Sequence, residues 1–258
     1  MPRPSVVLTV ERTEQLTPHL VRVYLGGPGF DDFAPNAFTD AYVKLVFGTD
    51  EEPVLRTYTV RTVDTVNRRI AIDFVVHGDE GVAGRWAANA QPGDELAMRG
   101  PGGAYAPRGD ADWHLLAGDE SAVPAIAAAL AAMPAGARAQ VFVEAAGPED
   151  EIDFVTAADA TVTWVHRGAG AGEVGDDRAG ENAPLVAAVR GAEWWPGRPH
   201  VFVHGEAQSV MHGIRPYIRK ERGVTAEWAS ISGYWRRGRT EEGFRVWKSD
   251  LAAAETAG

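Results

Sequence analysis

Hydrophobic and polar positions alternate in short runs through the first part of the chain. Six such runs are rich in Val, Ile, Leu, Phe and Tyr, and Gly, Pro, Asn and Asp separate them. They are VVLTVERTE, LVRVYLGG, AYVKLVFG, VLRTYTVRTV, RIAIDFVVH and DELAMRGP. Strands at this spacing are typical of a small antiparallel barrel or sandwich. One short helix, GVAGRWAANA, is predicted before the sixth run.

The pattern changes near residue 110, where apolar strands begin to alternate with helical segments. The predicted strands are WHLLAG, AQVFVEA, TVTWVHR, HVFVHGE and AEWASISGYW, and the predicted helices are SAVPAIAAALAAM, APLVAAVRG and QSVMHGIRPYIRKERG. In the first helix Ser121 is a candidate N-cap, and Pro124 lies in the first turn, where proline is tolerated. Strands that alternate with helices predict a parallel α/β sheet.

A Gly-, Pro- and Arg-containing stretch, PGGAYAPRGDAD, marks the predicted boundary between the two patterns. We therefore predict a β domain over residues 1–108 and an α/β domain over residues 109–258. Ligands of open α/β sheets bind at the carboxyl ends of the strands, and pockets often form between domains. A cleft between the two domains is the expected cofactor site.

Composition narrows the possible functions. The chain has 258 residues, a formal net charge of −11 and no cysteine. Without cysteine there is no disulfide, thiolate nucleophile or cysteine-bound metal, so redox chemistry requires a bound cofactor. The acidic balance argues against nucleic acid and anionic membranes as partners, although residues 215–248 are locally basic. No run is long enough to span a membrane and no signal peptide is apparent, so a cytoplasmic monomer is the default expectation.

The strand segment RTYTVR places two arginines around a tyrosine. Alternation puts Arg56, Tyr58 and Val60 on one face of the strand and Thr59 and Arg61 on the other. An arginine fork next to an aromatic ring suits a ligand that has phosphates and a flat ring system. Taken alone, the hexapeptide favours an ordinary solvent-facing strand.

Three further segments place glycine turns or basic residues where a cofactor or an anion could bind. In DFVVHGDEGVAGRWA a strand leads through glycines into a helix start, whose N–H groups suit phosphate oxygens. LLAGDESAVPAI has only Gly118 of a GxGxxG turn, and Asp119 and Glu120 would repel a pyrophosphate. In SISGYWRRGRTEEGF two aromatic residues precede an arginine cluster, and Trp235 could cover a flat ring. The scattered histidines predict no metal site, and no GxSxG elbow supports a hydrolase.

Taken in order, these segments resemble the siderophore-interacting protein family of FAD-dependent ferric-siderophore reductases, within the ferredoxin–NADP reductase-like superfamily. RTYTVR, DFVVHGDEGVAGRWA, LAGDESAVPAI, VHGEA and SGYWRRGRTEEGF carry the resemblance over nearly the whole chain. It implies an N-terminal six-stranded antiparallel FAD-binding β-barrel followed by a C-terminal Rossmann-like NAD(P)H-binding α/β domain. It also implies that the C-terminal segment returns to the flavin cleft.

The resemblance also implies site residues. Tyr58 would stack on the isoalloxazine and Thr59 would lie near its N5 edge, so no residue is expected to act as a general acid or base. The implied cofactor-binding residues are Arg56, Tyr58, Thr59, Val60, Arg61, Asp73, Val75, His77, Gly81, Val82, Ala83, Gly84, Arg85, Trp86, Asp119, Glu120, Ser121 and Trp235. The implied substrate-binding residues are Lys44, Arg237, Arg239 and Lys248, which would dock an anionic ferric siderophore.

The implied activity is reduction of Fe(III) in the siderophore by FAD, with NADH or NADPH as the electron donor. Glu144 ends the second strand of the α/β domain, where a ribose-binding acid would favour NADH, whereas Arg167 could equally pair with a phosphate. Two alternatives remain. One is a flavin or ferric reductase of the same superfamily with another acceptor, and the other is a non-catalytic siderophore carrier.

Overall fold

The computed structural model describes residues 5–49, 51–76, 81–239 and 243–244. Six antiparallel strands close into a barrel in the order β1-β2-β5-β4-β3-β6. They are β1 (Val6–Thr17), β2 (Leu20–Gly26), β3 (Tyr42–Gly48), β4 (Pro53–Asp64), β5 (Arg69–Val75) and β6 (Glu95–Gly102). Helix α1 (Val82–Asn89) lies between β5 and β6. The six-stranded antiparallel barrel is confirmed.

The rest of the chain forms a five-stranded parallel sheet in the order β11-β10-β7-β8-β9. Its strands are β7 (Trp113–Asp119), β8 (Arg138–Ala145), β9 (Asp159–His166), β10 (Pro199–Glu206) and β11 (Ala229–Trp235). All of β7 and β10 is buried, as expected for central strands covered on both faces. Helices α2 (Val123–Ala132) and α3 (Pro184–Gly191) complete the α/β domain.

The last predicted helix differs in geometry from an α-helix. The segments Gln208–Ile214 and Tyr217–Glu221 are π-helical, so the chain here is wound more widely. Val210, Ile214 and Ile218 still face the apolar cluster on one side of the sheet. The hydrophobic spacing predicted a helix correctly, but it did not distinguish the two windings. No helix in the described ranges is long and apolar enough to cross a membrane.

The two domains share an interface that fixes where the cleft lies. The apolar cluster around α2 also contains Leu20 of the barrel, and Val75 packs against it. The buried carboxylate of Asp150 accepts hydrogen bonds from Thr17 Oγ1 at 3.0 Å and pairs with His19 Nδ1 at 2.9 Å. Apolar packing and these polar contacts therefore hold the barrel against the α/β domain.

Candidate active site

The RTYTVR segment lies within β4 and has one face toward the barrel. Arg56 is paired with Leu45 and Tyr58 with Val43, both fully buried barrel residues. Directly opposed residues of an antiparallel pair point to the same side, so Arg56 and Tyr58 share a face. The ring centroid of Tyr58 lies 4.6 Å from that of Phe74. This half-buried aromatic ring next to an arginine is the part of the site that we call the platform.

Thr59 points to the opposite face and connects the platform with the C-terminal domain. It is paired with Tyr42 on β3 and is buried. Its side chain lies beside that of Tyr234 near the end of β11, and burial raises the pKa of that tyrosine above its usual value. The carboxyl edge of the parallel sheet therefore lies against the face of β4 that is opposite to the platform.

Arg61 does not follow the simple alternation predicted for the strand. The pairing of β4 with β5 is irregular between Val60 and Thr62, so Arg61 lies in a bulge. Its Nε is buried and has no hydrogen-bond partner among the described residues, and burial lowers its pKa. Nearby Asp73 accepts both forks of Arg22, at 2.6 and 2.8 Å. Asp73 therefore forms an ion pair with Arg22, and its negative charge also acts on Arg61.

The N-terminus of α1 is suited to receive a phosphate. The N-cap residue is Gly81, with φ of 84°, which has no side chain to cap the helix, and the first turn contains no acidic residue. A Cβ at Gly84 would lie 2.9 Å from the Val75 carbonyl oxygen, so glycine allows α1 to approach β5 closely. Trp86 packs its ring 5.7 Å from Phe74, beneath the platform. The open helix end, the arginine and the aromatic ring suit a ligand that has phosphates and a flat ring system.

The turn after β7 is occupied by the side chain of Asp119. Its two carboxylate oxygens accept the Ser121 N–H at 3.0 Å, the Ser121 hydroxyl, the Glu206 N–H at 2.7 Å and Trp235 Nε1 at 2.8 Å. Burial raises the pKa of this carboxyl. The prediction that Ser121 caps α2 is wrong. The N-cap residue is Ala122, and the Ser121 hydroxyl turns back to Asp119.

A second buried network joins Glu120, Glu144 and Arg167. The Arg167 guanidinium lies 2.5 Å from Glu120 Oε1 and 3.2 Å from Glu144 Oε1, and its side chain is 3% exposed. Glu144 also accepts the backbone N–H of Leu185 at 2.8 Å. Burial raises the pKa of Glu144 to about 7. The two residues considered for recognising the donor's ribose or phosphate are therefore bonded to each other.

Arg237, which was expected to dock a siderophore, and its neighbour Arg236 both have acidic partners. Arg237 Nη1 lies 2.6 Å from Asp176 Oδ1, and Nη2 donates to the Val174 carbonyl. Arg236 pairs with Glu206 at 2.9 Å. Two further candidates are exposed: Arg239, and Lys44, which is paired across β3 and β4 with Thr57. His77 and Lys248 lie outside the described residues.

Sequence reasoning missed the acidic partners and the tyrosine that closes the cleft. Glu206 ends β10 in the sequence HGEA, and a carboxylate at a strand end was the available signal. Asp176 lies in a polar loop where neighbouring Asp177 is equally plausible, so nothing local distinguishes it. Tyr234 was identified only as one of two aromatic residues, because its contact with Thr59 depends on how the domains meet.

A barrel with an open helix end, followed by a parallel sheet whose carboxyl edge faces it, is the architecture of the ferredoxin–NADP reductase-like oxidoreductases. The model of the siderophore-interacting FAD-binding domain matches residues 9–52 and 47–105. The model of the siderophore-interacting protein matches residues 111–238. The chain belongs to the siderophore-interacting protein family and has an FAD-binding domain.

Individual relatives agree with this assignment. The chain is 56% identical to an uncharacterized protein of Mycobacterium tuberculosis, and the alignment covers 98% of each chain. It is 37% identical to the ferric vibriobactin reductase ViuB of Vibrio cholerae, over 77% of this chain and 70% of that protein. The crystal structure of a siderophore utilization protein from T. fusca, 35% identical, superposes with a TM-score of 0.78, covering 93% of this chain and 95% of that one.

Proposed function

We propose that this protein is a ferric-siderophore reductase that uses FAD and a reduced nicotinamide and acts in the cytoplasm. The observation that carries the proposal is the contact between Thr59 and Tyr234. It brings the arginine-bearing segment after β11 close to β4, the strand that carries the platform. A flat cofactor and an anionic iron chelate would thus meet at one cleft. The name of the relative ViuB, a ferric vibriobactin reductase, supports the same substrate class.

FAD would be held by two structures in the barrel domain. Arg56 and the N-terminus of α1 would bind the pyrophosphate, because both offer positive charge and N–H donors. Tyr58 would lie against the ring system, supported from below by Phe74 and Trp86. The buried Nε of Arg61 has no hydrogen-bond partner in the described part of the chain, and it is the further donor that a cofactor oxygen would satisfy.

FAD, when bound, supplies an acceptor for the hydride of a reduced nicotinamide and a donor of single electrons, which no side chain of this cysteine-free chain supplies. One hydride carries two electrons, which suffice for two Fe(III) ions. Ferrous iron is less charged and softer, so a hard-oxygen siderophore holds it less tightly and releases it. The residues of the chain need only position the cofactor and attract the chelate.

Arg237 is the proposed docking group for the negative charge of the chelate. It is half-buried and lies directly after the segment that contacts the platform. Its pairing with exposed Asp176 holds the guanidinium in place before substrate arrives. An anion at the cleft would compete with Asp176 for the same donors, because Arg offers a fixed fork that suits several oxygens.

Arg237→Glu tests the docking role. We expect KM for an anionic ferric tris-catecholate to rise by about tenfold, with FAD content unchanged, because a favourable charge becomes a repulsive one. Arg12→Glu is the matched control, since Arg12 lies on β1 and its replacement changes the net charge by the same amount. Steady-state iron release under anaerobic conditions gives both values. An unchanged KM, or loss of FAD, would show that Arg237 does not dock the substrate.

A further inference from the structure

In the turn between β7 and α2, three consecutive backbone N–H groups are already bonded within the chain. Such turns hold the pyrophosphate of a dinucleotide in the common α/β folds, through N–H groups and glycines. Here the N–H groups of Ser121, Ala122 and Val123 bond respectively to the Asp119 side chain, the Asp119 carbonyl and the Glu120 carbonyl. Pro124 follows and has no N–H. The carboxylate of Asp119 occupies the place of an external anion.

Gly118 is not free for a ligand either. A Cβ at this position would lie 2.4 Å from the Ala122 side chain and 2.5 Å from the His204 carbonyl oxygen. Glycine is therefore required for the packing of β7 against its neighbours. The glycine that could have allowed a pyrophosphate to approach serves the interior of the domain.

At the same edge, the neighbouring helical segments also have backbone N–H groups that donate to carboxylates of the chain. At α3, the Leu185 N–H donates to Glu144 Oε2 at 2.8 Å, and the preceding residue is proline. At the π-helical segment after β10, the Ser209 N–H donates to Glu206 Oε2 at 2.9 Å. Carboxylates from three strand ends, Asp119, Glu144 and Glu206, thus bond to the backbone at the three helical starts beside this edge.

The arginines at this edge are already paired with acids. Arg167 is buried between Glu120 and Glu144, and Arg236 pairs with Glu206. Including Asp119, four carboxyl groups accompany two guanidinium groups. A diphosphate arriving here would meet acceptors and acids where it requires donors and positive charge.

We propose that the reduced nicotinamide donor is recognised through its nicotinamide mononucleotide half, and that its pyrophosphate link to adenosine and the adenosine itself add little to binding. The proposal rests on the proposed function. Hydride transfer requires the dihydronicotinamide ring alone, which passes one hydride and becomes the oxidised pyridinium. Asp119 fixes the Trp235 indole at the edge that lies against β4, the strand that carries the platform, and the ring must arrive near this strand.

The test compares whole donors with fragments on the FAD-loaded protein. We expect NADH and reduced nicotinamide mononucleotide to bleach the flavin with half-saturation concentrations within about fivefold of each other. We expect calorimetry with ADP-ribose to show no saturable binding below about 5 mM. A larger preference for NADH, or saturable ADP-ribose binding below that limit, would overturn the inference.

The same measurements separate this inference from the proposed function. If neither donor bleaches the flavin, nicotinamide-driven reduction is wrong, and the ADP-ribose titration still decides whether the edge binds a pyrophosphate. Recognition of the nicotinamide half fails with the function in that case. Saturable ADP-ribose binding then also overturns the exclusion of a pyrophosphate, and its absence supports that exclusion alone.

A charge-removing variant tests the part played by Asp119. Asp119→Asn keeps the size of the side chain, and we expect ADP-ribose to bind at least about threefold more tightly than to the wild type. Asp112→Asn, exposed at the other end of the same strand, is the matched control and is expected to bind as the wild type does. Unchanged ADP-ribose binding in folded Asp119→Asn would show that the carboxylate does not exclude the pyrophosphate. If the variant fails to fold, the wild-type titrations decide.

Discussion

The helix starts of the two domains differ in how they are capped. In the barrel, α1 starts at Gly81 and has no acidic residue in its first turn. In the α/β domain, strand-end carboxylates bond to backbone N–H groups at the corresponding starts. A helix N-terminus attracts anions wherever it occurs, so the difference lies in whether the chain supplies its own anion. Among the described residues, no carboxylate of the chain fills the position at α1, whereas carboxylates fill it in the α/β domain.

This difference divides the work between the domains. The barrel has the open helix end together with Arg56 and Tyr58, which suit a permanently held cofactor. The α/β domain positions Trp235, Tyr234 and Arg237 at the cleft, while its acids remain internal. A dinucleotide-binding topology therefore does not by itself show that a dinucleotide is gripped along its whole length.

The largest expected effect follows from giving α1 an internal anion. Val82 is the first residue of α1, and Val82→Asp would place a carboxylate in the first turn. We expect FAD affinity to fall by about a hundredfold, because the carboxylate would compete with the pyrophosphate for the helix end and repel it. Titration of the FAD-free protein with FAD, followed by flavin fluorescence, measures the change.

Val82→Asn is the matched control for that change. It has almost the same shape as aspartate and no charge, so we expect a much smaller loss of affinity. Equal losses in the two variants would mean that side-chain shape at Val82, and not charge, governs binding. The distinction between an open and a self-capped helix end would then not apply to FAD.

The next effect tests the opposite side of the comparison, at Glu144. Burial raises its pKa to about 7, above 4.5, so the folded state binds this proton more tightly than the unfolded chain does. The stability that follows is present below about pH 4.5 and is lost as the pH rises through 7. As the pH rises from about 5 to about 8, we expect the free energy of unfolding of the wild type to fall by about 2 kcal/mol relative to that of Glu144→Gln.

Urea unfolding at both pH values measures this difference. Glu149→Gln is the control, because it makes the same substitution at an exposed glutamate in the turn after the same strand. Parallel pH profiles for Glu144→Gln and the wild type would show that the carboxylate at α3 titrates normally. Burial of the Glu144 carboxylate would then cost the protein no stability at neutral pH.

The sequence predicted the elements well because each depends on local pattern. Alternation in RIAIDFVVH and continuous apolar residues in HVFVHGE yield β5 and β10. The bulge at Arg61 was not predictable from alternation, since it arises where β4 and β5 pair. Ser121 was assigned as a cap from its residue type and position, but a closer acceptor, Asp119, takes its hydroxyl.

The contacts that distinguish the two domains are long-range. Asp119 bonds to an N–H 87 residues away, and Arg167 bonds to Glu120 across 47 residues. The repulsion of a pyrophosphate by Asp119 and Glu120 could be predicted from their charge alone. The internal partners of these two charges could not be predicted, because they come together only when the sheet assembles.

The smallest expected effect concerns Asp176 and Arg237. Here an acid of the chain pairs with the arginine that we propose to dock the chelate. The Asp176 side chain is 98% exposed, so solvent weakens its attraction for Arg237. Asp176→Asn removes the competing charge, and we expect the affinity for an anionic ferric tris-catecholate to rise by about threefold. A neutral ferric hydroxamate should bind unchanged.

Asp177→Asn is the matched control, since it removes the same charge one residue further along. Equal gains in both variants would mean that overall charge is responsible. A loss of affinity in Asp176→Asn would show that Asp176 helps to receive the chelate and does not compete with it.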